Sequence, residues 1–301
     1  MDRTPQPDWL IEGKIPFIWV IDDVNQGFPP PDSTASLFDN DHLGRLRTLV
    51  DDLNAKICVN FVIRPEYVKA GLKDIADLET PLDHPSWRRH HREMQDWLAE
   101  LGDRAEVCVH GWTHRVTNYS PEIELNPGGW EFTRRSEWFR HPDPVGNIER
   151  NLAALRELGY QPITHVLSNC GGRMDRETLR KIRESKYQML FKGPTQEQAC
   201  RADFPDVPSM PWYLGDPDAF VFGWDLKRDN GLDDFEACFA RRKPILLGNH
   251  GHEFGGRTRF QKVFSVGAMS PFFDAHGDGM VFVRLGDYVR LMHERVHGGS
   301  K

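Results

Sequence analysis

Residues 15–23 read Ile15-Pro16-Phe17-Ile18-Trp19-Val20-Ile21-Asp22-Asp23, an apolar run that stops on two adjacent carboxylates. Residues 15–21 have strand character, and the segments downstream of them set the fold class. A Pro/Gly/Ser-rich loop over 25–39 leads to Leu43, Leu46, Val50 and Leu53 at helical spacing, then to residues 56–63, apolar almost throughout like a strand covered on both faces. A helix over 86–101 comes next, capped by Ser86, with Met94, Trp97, Leu98 and Leu101 on one stripe and Gly102 at its end. Further strands are expected at 105–109, 163–167, 187–191, 219–224, 244–247 and 280–283. Further helices are expected at 147–158, closed by Gly159, and at 176–185, 232–240 and 285–295. Seven or eight strand–helix units of this kind form an α/β protein, either a closed barrel or an open doubly wound sheet, and periodicity leaves both open. In either, ligands gather at the carboxyl ends of the strands.

The chain has 301 residues and a net charge of −7, with 39% hydrophobic and 28% charged residues. That balance fits a water-soluble globule and excludes a basic nucleic-acid coat, wholesale disorder or a fibrous repeat. One domain over 1–301 is expected, since a single α/β barrel of about 250 residues is ordinary. No stretch approaches the roughly 18 unbroken apolar residues of a membrane helix. The first twenty residues carry Asp2, Arg3, Asp8, Glu12 and Lys14 before any sustained apolar run, unlike a secretory signal. Five cysteines at scattered spacing (Cys58, Cys108, Cys170, Cys200, Cys238) argue against a disulfide framework, so the cytoplasm is the expected address.

Reactive side chains do collect at strand ends. Asp22 and Asp23 end the first strand, where neighbouring carboxylates repel unless a cation relieves them; an isolated Asp pair also reads as a turn cap. His110-Gly111-Trp112-Thr113-His114 follows the strand at 105–109, and two imidazoles four apart fall on one side of a helical turn, close enough to share an ion. Gly248-Asn249-His250-Gly251-His252-Glu253 follows another apolar strand, and a histidine beside a metal suits general acid chemistry.

With these segments in order, the chain resembles the polysaccharide deacetylase superfamily, the carbohydrate esterases of family four and their cytoplasmic relatives. There an apolar strand ends in two Asp, as in Val20-Ile21-Asp22-Asp23, and a later strand reads like KATFFVI, as in Lys56-Ile57-Cys58-Val59-Asn60-Phe61-Val62-Ile63. His110 and His114 match the H-x3-H motif, and His250 matches the late strand-end histidine. The resemblance implies a distorted (β/α) barrel of about seven parallel strands. It implies Asp22 as catalytic base and His250 as general acid. It also implies Asp23, His110 and His114 as ligands of one divalent ion, zinc first, with iron, cobalt, nickel or manganese fitting the same set. Trp112, Arg173, Trp224, Asp225 and His252 would face the substrate.

Two motifs depart. Where the family reads like Phe-Arg-Pro-Pro-Tyr-Gly and its Arg holds the base, this chain has Leu167-Ser168-Asn169-Cys170-Gly171-Gly172-Arg173. Val221-Phe222-Gly223-Trp224-Asp225 keeps a Trp-Asp pair, but Asp229-Asn230 lacks the second Trp. A substrate-facing aromatic could come from a long loop insertion at about 115–143, which carries Tyr119, Trp130, Trp138, Phe139, Arg134, Arg135 and Arg140; a surface flap or a homo-oligomer contact is the competing reading.

The implied activity is hydrolysis of a non-peptide C–N bond, foremost the N-acetyl group of an amino sugar or sugar conjugate, with a cyclic amide or ureide as the second reading. A small-molecule or sugar-conjugate substrate is expected, with no nucleic acid and no membrane partner. Gly248-Asn249-His250 also matches the GNH triplet of calcineurin-like metallophosphoesterases, but Asp22-Asp23-Val24 lacks their opening Asp-x-His. A ligand-binding relative without turnover is the non-enzyme reading. Trp87-Arg88-Arg89-His90-His91-Arg92 reads as a solvated helix face, and His276, His293 and His297 as surface residues.

Overall fold

The computed structural model describes residues 9–22, 24, 28–29, 34–39, 43–62, 85–111, 144–168, 189–191, 220–222, 231–250 and 266–297. Among these residues, strands and helices alternate as the sequence implies: β1 (Ile15–Asp22), α1 (Leu43–Asp52), β2 (Ile57–Val62), α2 (Pro85–Leu101), β3 (Ala105–Gly111), α3 (Pro144–Glu157) and β4 (Pro162–Ser168). Then come β5 (Met189–Phe191), β6 (Phe220–Phe222), α4 (Gly231–Ala240), β7 (Ile245–His250), α5 (Val266–His276), β8 (Met280–Phe282) and α6 (Leu285–His297).

Seven strands run in the order β5-β4-β3-β2-β1-β7-β6, every pairing is parallel, and β5 and β6 end this path among the described residues. An eighth strand, β8, belongs to the same sheet off this path and pairs with Ile15, Pro16 and Phe17 at the start of β1, so eight strands are described where about seven were expected. All eight residues of β1 are buried, as suits the strand with the most partners.

Strand pleat sorts the core into two layers. Phe17, Trp19 and Ile21 of β1, Ile57, Val59 and Phe61 of β2, Val107 and Val109 of β3, and Ile245 and Leu247 of β7 belong to one cluster. The apolar stripes of α1, α2, α3, α4 and α5 pack onto it, including Leu46, Trp97, Leu152, Phe235 and Phe272. Residues of the opposite parity, Ile18, Val20, Cys58, Cys108, Val166 and Leu246, form the second cluster, which we call the inner face. It is covered by Trp9 and by Leu285, Tyr288, Val289 and Met292 of α6. Continuing that parity toward the carboxyl ends gives Asp22, Asn60, His110, Ser168 and His250.

Several expectations change. β7 runs on past 247 to His250 because its pairing with β1 continues through Asp22↔His250. β3 extends beyond 109 through Gly111, which pairs with Val62, so His110 is a strand residue. α5 is not expected from the sequence: Pro271 lies inside it and reads as a breaker. The face of α2 around 87–92 is not simply solvated. His90 and His91 are buried, and the carboxylate of Glu93 accepts the Ser36 hydroxyl and the Leu37 N–H. The cause is Phe28, whose ring packs edge-on against both imidazoles. His276 is half-buried: its ring lies 4.1 Å from that of Phe239 and bonds Glu236. The expected helix at 176–185 and the loop at 115–143 lie outside the described residues. No helix among those described is long and apolar enough to cross a membrane.

Candidate active site

The inner face changes from apolar to polar within one residue pair per strand. On β1 the step is from Val20 to Asp22, on β2 from Cys58 to Asn60, on β3 from Cys108 to His110, and on β4 from Val166 to Ser168. All four polar residues are buried: Asn60 and Ser168 completely, His110 to 1% exposure and Asp22 to 7%. Burial on this scale favours bonding of each group, since an unbonded buried polar group costs about 1–3 kcal/mol.

They bond to one another. The Asn60 amide nitrogen donates to Asp22 Oδ1 at 2.6 Å and to Ser168 Oγ at 2.8 Å. The Ser168 hydroxyl in turn donates to Asp22 Oδ1 at 3.4 Å. Asn60 Oδ1 accepts the Cys58 thiol at 3.4 Å, and burial pushes that thiol well above its usual range, which keeps the donor protonated. A carboxylate only accepts, so the amide orientation is dictated by its neighbours.

His110 Nδ1 lies 2.8 Å from the Ser168 carbonyl and 3.6 Å from Asp22 Oδ1. A carbonyl has no proton to give, so Nδ1 carries one, and in this tautomer the lone pair lies on Nε2. This is the arrangement of a metal-binding imidazole whose other nitrogen is anchored by protein. His250 is partly exposed, and its backbone stands opposite Asp22 in the β1–β7 register, so the pleat sends both side chains to the same face. Behind it, Asn249 on the opposite face accepts the Trp19 indole N–H at 2.6 Å and ties the end of β7 to β1.

Of the residues singled out from the sequence, the structure brings together Asp22, His110 and His250. Asp23, His114, Trp112, Arg173, Trp224, Asp225 and His252 lie outside the described residues. Among those described, no group of three or more His, Cys, Asp or Glu side chains forms a metal cluster. The tautomer of His110, with Nδ1 anchored by the Ser168 carbonyl and the lone pair on Nε2, fits one ligand of a divalent cation. Sequence reasoning missed Asn60 and Ser168. The signal for Asn60 was present, as an amide inside the otherwise apolar run Ile57-Cys58-Val59-Asn60-Phe61-Val62.

No protein-family model matches the chain, and no curated protein matches it. Solved structures do. A putative polysaccharide deacetylase from Mycobacterium smegmatis aligns with a TM-score of 0.53 at 12% identity over 98% of this chain and 96% of that one. A 4-alpha-glucanotransferase from Thermococcus litoralis aligns at 0.47 and 14% identity over 92% of this chain, which spans only 38% of that protein. A CE4 family pseudoenzyme from Bacillus anthracis aligns at 0.44 and 10% identity, with 92% of this chain and 66% of that one covered. At such identities the likeness is one of architecture, and by the first of these matches the chain has the parallel α/β fold of a polysaccharide deacetylase structure.

Proposed function

We propose that the chain is a metal-dependent hydrolase that removes the acetyl group from an acetylated amino sugar or sugar conjugate, with residues 1–301 forming one catalytic domain. The observation that carries this reading is the meeting of Asp22, His110 and His250 on one face at the carboxyl ends of β1, β3 and β7. Asp23, His110 and His114 would hold the ion. When bound, a divalent ion there supplies Lewis acidity toward the acyl oxygen and the attacking water.

Asp22 is the base. Its Oδ1 is occupied by Asn60 and Ser168, whereas Oδ2 receives no bond from a described residue and is the atom that takes the water proton. His250, on the neighbouring strand and partly exposed, returns a proton to the departing amine. The free thiols of Cys58, Cys108 and Cys238 fit a reducing compartment, and so a soluble, small or nucleotide-linked sugar in place of a wall polymer.

The test is an assay of acetate release across acetylated amino sugars and their conjugates, run beside ring opening of cyclic imides and ureides, with metal content measured on the same protein. Acetate release that Asp22→Asn lowers about 10²–10⁴-fold is the expected result. Ring opening alone would move the substrate to cyclic amides. Two ions per chain would favour a phosphoesterase, and a chain inert on the whole panel would be a binding relative.

A further inference from the structure

Resting on that hydrolytic reading, we infer that Asn60, seconded by the Ser168 hydroxyl, is the positioning residue of the base: it fixes the plane of the Asp22 carboxylate by engaging Oδ1 and so presents Oδ2 to the attacking water. The direction of every bond in the group is determined by chemistry. The Cys58 thiol donates to Asn60 Oδ1, the Asn60 amide donates to Asp22 and to Ser168, the Ser168 hydroxyl donates to Asp22, and the His110 imidazole donates to the Ser168 carbonyl. No bond in this chain can be reversed without placing two donors or two acceptors against each other.

Packing gives no reason for an amide here. Asn60 is completely buried on a strand whose other residues are apolar or thiol, and its Nδ2 is spent entirely on Asp22 and Ser168. A leucine would fill the place at less desolvation cost, so the amide is retained for what it holds. The carboxylate turns freely about its terminal torsion unless bonded, because such sp³–sp² torsions are broad. Asn60 from β2 and Ser168 from β4 remove that freedom from two sides. Asn60 reaches substrate only through Asp22, so its loss falls on the chemical step.

Asn60→Leu and Ser168→Ala, each also built into Asp22→Asn, would be assayed for kcat and KM and titrated calorimetrically with zinc. Ser168→Ala keeps the carbonyl that anchors His110 and carries the test if Asn60→Leu does not fold. We expect kcat to fall about 10–100-fold in Asn60→Leu and about 3–10-fold in Ser168→Ala, with KM and zinc affinity changed less than about threefold. In the Asp22→Asn background Asn60→Leu should cost nothing further, since both act through one carboxylate. An equal loss in both backgrounds, an unchanged kcat, or a fall in zinc affinity that matches the fall in rate overturns the assignment. If the wild-type chain turns over no substrate, the hydrolytic reading fails by itself, and a crystal structure of Asn60→Leu decides the positioning claim. An Asp22 carboxylate swung from its wild-type plane upholds it, and one that has not moved overturns it.

Discussion

Asp22 and Glu106 are both buried carboxylates of the same parity, one at the carboxyl end of β1 and the other at the amino end of β3, so the two ends of the inner face can be compared directly. Asp22 is bonded through one oxygen by two side chains, and its second oxygen is engaged by no described residue. Glu106 is closed in. Its Oε1 accepts the Gly286 N–H at 2.7 Å in the first turn of α6, and a Cβ on Gly286 would stand 2.8 Å from its Oε2. Burial raises the Glu106 carboxyl to about 7, against the pull of the Gly286 N–H and of Arg284. At one end a carboxylate is held by orientable donors; at the other it seats a helix. The same kind of group does different work according to what reaches its second oxygen.

Exchanging charge for amide at each end sharpens that contrast. Asp22→Asn should lower kcat about 10²–10⁴-fold with little change in the urea midpoint. Glu106→Gln should do the reverse, leaving turnover within about threefold because Glu106 reaches Asp22 at one remove, through the Cys58 thiol and Asn60.

The stability effect of Glu106 has a definite sign. Its folded pKa of about 7 lies above the ordinary 4.5, so its contribution is fully present below pH 4.5 and is lost as pH rises through 7. That amounts to at most about 3 kcal/mol. Urea titrations at pH 5 and pH 8 should therefore show the wild type losing stability relative to Glu106→Gln as pH rises, and parallel curves would break the comparison.

His91, on the other layer, has the opposite sign. Burial first, and then His90, lower it to about 3, and its Nδ1 lies 2.8 Å from the Tyr160 hydroxyl. Its stabilisation is complete above pH 6.5 and is lost as pH falls toward 3. His91→Gln should flatten the acid side of the urea-midpoint profile and leave the alkaline side alone. The smallest effect is expected from Gly286→Ala. The new methyl crowds Glu106 Oε2 and Ile163 Cδ1, and should cost about 1–3 kcal/mol by chemical denaturation without touching kcat.

The strands that carry Asp22 and His250 are legible in the sequence because their signal is local: apolar runs ending abruptly on polar residues. The stripes of α1, α2 and α3 are legible for the same reason, and Leu46, Trp97 and Leu152 are buried as their spacing implies. α5 is not, because Pro271 hides a helix whose outline comes from packing rather than pattern. His90 and His91 mislead for a related reason. Their neighbours in sequence are charged, and only Phe28 and Tyr160, distant along the chain, put them inside. His110 is marked by its motif, but that it lies within a strand comes from the β2–β3 pairing, which runs on to Gly111.

The sequence by itself determined the alternation of strand and helix, the strand ends on which Asp22, His110 and His250 fall, and the parity that gives each strand two faces, all of which are properties of neighbouring residues. Tertiary structure decided that Asn60 and Ser168 close on Asp22 and that Glu106 seats α6. Those contacts join residues separated by 38, 146 and 180 positions, and only parallel register and the docking of α6 bring them within bonding distance.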